Sequence, residues 1–105
     1  MVDESLLDRV KNAAPGFYTE RDGGFWYIVT PDHADRIGEY FVSRDTARLF
    51  LLVAAGAEPM PDHWRVIDAS RLSAMVEVGN SVIPTLWRRP LEQHFPTFAA
   101  TIWHG

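Results

Sequence analysis

One stretch, Gly38–Gly56, constrains this chain more than any other. It reads Gly-Glu-Tyr-Phe-Val-Ser-Arg-Asp-Thr-Ala-Arg-Leu-Phe-Leu-Leu-Val-Ala-Ala-Gly. Tyr40-Phe41-Val42 is β-prone. Ser43 then stands where a helix N-cap belongs, and Asp45 would complement the positive end of a helix dipole. Thr46 is not the Glu or Gln of a capping box, so the cap is partial. The pattern predicts a helix to Ala54 or Ala55, with Gly56 as the C′ residue. Apart from Arg48, every position from Ala47 to Ala55 is apolar, and a helix that is wet on only a narrow strip is buried on more than one side.

The residues before it read as a meander. Phe17–Glu20 is a strand candidate, and Asp22-Gly23 in the following turn is a strong hairpin signal. Phe25–Thr30, aromatic then β-branched with no breaker, is the best strand in the chain. Ile37–Val42 returns as a third strand and feeds the helix. The expected fold class is α+β: a small antiparallel sheet of three to four strands on a central apolar helix, with short flanking helices. Trp64–Asp68 is the candidate fourth strand.

Asp3–Ala14 carries a helical stripe (Leu6, Leu7, Val10, Ala14) that Pro15-Gly16 stops. Glu58–His63, with two prolines, is a loop. Ser70 is placed to cap a helix through about Val78, although Ala74–Val78 also reads as extended. Asn80–Pro90 is expected to be irregular, and Pro90 to start a helical turn through His94. Phe98–Trp103 fits either strand or helix. The 105 residues suffice for one domain, 1–105, with a single core.

Charge narrows the function classes. The net charge is −4, and the whole excess of acid lies in residues 1–45. An acidic N-terminal half argues against nucleic-acid binding, which needs a basic footprint. It suits solubility or docking onto a basic partner. There is no cysteine, hence no disulfide or thiolate chemistry. The acidic opening Met1-Val2-Asp3-Glu4 does not read as a signal peptide. The longest apolar run, Leu49–Ala55, falls far short of the ~20 residues that cross a bilayer. A cytoplasmic protein with no membrane association is the expectation.

Few residues point to chemistry. His33, His63, His94 and His104 lack metal-ligand spacing. Pro-Asp-His occurs twice, at Pro31–His33 and Pro61–His63. If those loops met, Asp32, His33, Asp62 and His63 would form a cluster, but two solvated turns, each with an incidental histidine, are the expected reading. Glu39, Asp68 and Glu77 lie beside apolar runs, where a carboxylate serves as an acid or base, or pairs with Arg36, Arg65 or Arg71; ion pairing is the expected role. Arg88-Arg89 is a basic spot beside Trp87. No nucleotide-binding, hydrolase or zinc-protease motif is present. No catalytic residue, cofactor or metal is therefore assigned.

The aromatic residues say more. In a strand, Phe25 and Tyr27 face one side while Trp26 and Ile28 face the other. Both sheet faces are then apolar, and one helical layer hides only one. The other needs the C-terminal segment, a second subunit or a ligand. The expected function is accordingly a small, acidic, non-enzymatic protein–protein interaction module of inhibitor, immunity or accessory type, self-associating as a homodimer or binding a protein partner. The alternative is a small-molecule binding protein or small enzyme. In both, the interface or pocket residues are Trp26, Tyr27, Trp64 and Trp87.

Overall fold

In a computed structural model that describes residues 5–103, Ser43 does cap the helix. Its Oγ accepts the Thr46 N–H at 3.1 Å, and α2 runs over Arg44–Ala54. Gly56 ends it with φ +81°, a conformation that costs glycine little. Ala47, Phe50, Leu51, Leu52, Val53 and Ala54 are all buried. Before α2 come α1 (Leu6–Ala13), β1 (Tyr18–Asp22), β2 (Phe25–Val29) and β3 (Arg36–Phe41). After it come β4 (Arg65–Ala69), β5 (Ser73–Val78), β6 (Ser81–Trp87), α3 (Arg88–His94) and α4 (Pro96–Ile102). Among the described residues, no helix is long and apolar enough to cross a membrane.

The protein is α+β, with two three-stranded antiparallel sheets rather than one sheet of three to four strands. The first is β1-β2-β3, and Gly23-Gly24 forms its first turn between the paired residues Asp22 and Phe25. The second is β4-β5-β6. Trp64–Asp68 therefore does not extend the first sheet; Arg65–Ala69 opens the second.

Two further expectations are corrected. Ser70–Val78 is not a helix. Ala74, Val76 and Val78 are buried and alternate with the half-buried Ser73, Met75 and Glu77, the period of a strand. Asn80–Pro90 is not irregular, since Ser81–Trp87 pairs along β5. Pro84 is tolerated in that strand because it lies at a bulge, where the register slips between Ala74–Leu86 and Val76–Ile83 and no ladder donor is needed. Phe98–Trp103 resolves as helix, within α4. The N-terminal helix starts at Leu6 with Ser5 as its cap. Asp3 and Glu4 lie outside the described residues, as does His104.

The chain thus runs three strands then helix, twice: β1-β2-β3-α2 and β4-β5-β6-α3. The third strand of each sheet carries a bulge with one left-handed residue, Tyr40 (φ +65°) in β3 and Thr85 (φ +55°) in β6. β3 and β6 lie side by side. Ladder bonding stops there, and the seam is made of side chains: Leu86 against the backbone at Gly38, and the Thr85 hydroxyl on Glu39 at 3.4 Å. One core runs beneath both sheets. Ile28, Ile37 and Phe41 from the first, Val76, Ile83 and Leu86 from the second, α2, and Leu91, Phe98 and Ile102 from the C-terminal helices all belong to it.

Candidate functional site

The alternation along β2 decides what stays in contact with water. Ile28 is fully buried, and Trp26 packs partly against the core with Arg44 over its ring at 4.4 Å. Phe25 and Tyr27 face outward. Phe25 is 43% exposed and meets Tyr40, 51% exposed, edge to face at 5.4 Å. The C-terminal segment does not cover this face: Ile83, Leu86, Phe95 and Phe98 all go to the core instead.

Charge is distributed unevenly over the same face. Glu20 accepts the Tyr27 hydroxyl at 2.6 Å, and that hydrogen bond, helped by partial desolvation and the carboxylate's charge, holds the phenol above its ordinary pKa. Asp22 and Glu39 border the shallow hollow between Phe25, Tyr27 and Tyr40. Arg36 lies 3.9 Å over the Tyr27 ring and pairs with Glu39 at 3.3 Å. Asp22, Glu39 and the Arg36 guanidinium thus line the hollow together, and Glu20 stands beside it through Tyr27. Stacking on a ring while meeting a carboxylate is the contact that the chemistry of arginine favours.

Tyr40 stands on the face opposite the buried Phe41, as strand alternation requires, and sits at the bulge. A bulky residue at φ +65° is an outlier, held only where the surroundings over-determine it. No signal in Gly38–Val42 marks the left-handed backbone, and the bulge is visible only in the pairing of Trp26 with Phe41 and of Ile28 with Gly38.

The four aromatic residues singled out in the sequence are not brought together. Trp26 and Tyr27 share the hollow on the first sheet. Trp64 is buried in the core, stacked on Phe50. Trp87 is 45% exposed at the end of β6, in a separate hollow of about 250 Å³ with Arg71, Leu72, Arg88 and Arg89. Pairing accounts for two of the three carboxylates considered: Glu39 meets Arg36, and Glu77 meets Arg65 at 3.0 Å, while Asp68 is exposed. No group of three or more His, Asp or Glu side chains among the described residues is placed to hold a metal. Asp32 is engaged locally, accepting the Thr30 hydroxyl at 2.6 Å and the Ala34 N–H at 3.1 Å, which lowers its pKa. His33 bonds the Tyr18 hydroxyl at 2.9 Å, and Asp62 and His63 are exposed.

A hollow of about 460 Å³ lies between the end of α2 and the α3–α4 corner. Its walls are mainly apolar, with Val53, Met60, Phe95 and Phe98 beside His94. His94 stands edge-on to Phe17, and its buried Nε2 has no hydrogen-bond partner among the described residues. Nothing in the sequence marks this site.

No protein-family model, curated protein or solved structure matches this chain.

Proposed function

We propose that this is a non-enzymatic protein–protein interaction module that works through the outer face of its first sheet and associates with itself. One observation carries the reading: Phe25 and Tyr40 stand half exposed and in mutual contact on the outer face of the first sheet. Burying a pair of large aromatic residues supplies much of the energy of a typical interface. The strained backbone at Tyr40 fits a residue retained for what its ring contacts outside the chain. A homodimer is the commonest closed arrangement. Static light scattering on a sizing column should give about twice the 11.9 kDa chain mass at micromolar concentration. Phe25→Glu should shift the protein toward monomer because a charge would be desolvated. Tyr40→Asn, which keeps a residue tolerant of the left-handed backbone, should do the same. A monomer at every concentration overturns the reading.

The hollow beside His94 favours a second reading, binding of a small apolar molecule. Its volume falls within the usual range for such sites, about 300–1,000 Å³. Filling it with Met60→Trp should abolish any enhancement of an apolar fluorescent dye; unchanged dye fluorescence would remove this reading.

A further inference from the structure

The second sheet carries a surface opposite in character to the first. At the end of β6, Trp87 and Leu72 are 45% and 66% exposed. Arg71, Arg88 and Arg89 line the hollow beside them, against one carboxylate, Glu92. Arg88 is committed to Glu92 at 2.9 Å and lies over Trp103. Arg71 and Arg89 are exposed and border the same two apolar side chains. One molecule therefore displays an acidic aromatic face and, separately, a basic apolar one. On the first, Glu39 is committed to Arg36, and the carboxylates open to a further guanidinium are Asp22 and Glu20.

We infer that the occupant of the acidic face, Glu20, Asp22, Phe25 and Tyr40, is the basic patch of a second copy of this chain, with Arg71 and Arg89 entering beside the aromatic pair and Trp87 and Leu72 covering it. This rests on the self-association proposed above and adds its counter-surface. In a two-fold pair the contact is made twice, since residue i meets j of the partner and j meets i. Opposed charge fixes the register and speeds encounter, while the apolar side chains supply most of the affinity.

A charge swap tests the inference. Asp22→Lys with Glu20→Lys reverses one surface, and Arg71→Glu with Arg89→Glu reverses the other. Each double variant alone should associate at least about tenfold more weakly than the natural chain, because like charges then face each other. Mixing the two should restore the natural affinity, since every reversed surface meets a reversed partner. The restoration also shows that both variants are folded. Raising ionic strength from about 0.01 M to about 1 M, which shortens the screening length from about 30 Å to about 3 Å, should weaken the natural pair and the mixed pair alike. If both variants dissociate but the mixture stays monomeric, the pairing of these two surfaces is wrong. If Phe25→Glu dissociates the protein while the arginine variant remains associated, the first sheet is an interaction face but its occupant is not this patch. If the natural chain is monomeric throughout, both proposals fail.

Discussion

The Phe50 ring lies within 20° of parallel to the Trp64 indole, with centroids 6.2 Å apart. Phe50 also meets Phe41 at 5.4 Å and Phe98 edge-on at 5.5 Å. A single side chain of α2 thus touches the first sheet, the residue before the second, and the last helix. Truncating it by Phe50→Ala should destabilise the protein by roughly 3–5 kcal/mol, the usual cost of emptying a buried aromatic site. Urea unfolding followed by far-UV circular dichroism reads the loss. A change below about 1 kcal/mol, the size of a surface substitution, would mean that the ring is not buried as described.

Gly38 lets the two sheets approach. A Cβ there would stand 2.7 Å from Cε2 of Phe41 and 3.1 Å from Cδ2 of Leu86. Both neighbours are fully buried and have little room to yield. Gly38→Ala should therefore cost about 1–3 kcal/mol, as overpacking does. An unchanged melting temperature would show that β3 and β6 are further apart.

Asp32 makes stability fall in acid. Its folded pKa is depressed by the Thr30 hydroxyl and the Ala34 N–H, so the stabilisation is present above the unfolded value and is lost as pH falls through the folded one. Denaturant titrations across the acid range should show that loss in the natural protein. Asp32→Asn should flatten that part of the profile, and an identical profile in the variant would assign the acid sensitivity elsewhere.

Chelation should have no effect. EDTA is expected to leave the melting temperature and the far-UV spectrum unchanged, because the described residues include no group of three or more ligating side chains placed around one point. A large drop reversed by zinc would contradict this.

Local chemistry made part of the fold legible. The Ser43 cap, the Gly23-Gly24 turn and the apolar sweep of α2 are each fixed by neighbours a few residues away, and those signals are explicit in the chain. Ser70 shows where such reading fails. Its Oγ accepts the Ser73 N–H at 3.2 Å, the same bond a helix cap would make. Here that bond closes a turn between β4 and β5, because Val76 and Val78 find partners across the sheet. Three or four residues cannot announce a distant partner. The outward aromatic pair was half legible in the same way. Strand alternation places Phe25 and Tyr27 on one face and Tyr40 opposite Phe41, whereas the contact of Phe25 with Tyr40 depends on a bulged pairing register that the sequence does not mark.

The seam between β3 and β6 behaves differently from the sheets on either side of it. Within each sheet, a pulling force meets a ladder of backbone bonds; across the seam it meets side-chain packing and one long hydroxyl–carboxylate contact. Apolar packing weakens on cooling and under pressure. The seam and the core beneath it, which both sheets share, are therefore expected to loosen together in the cold, while the backbone ladders within each sheet persist longest.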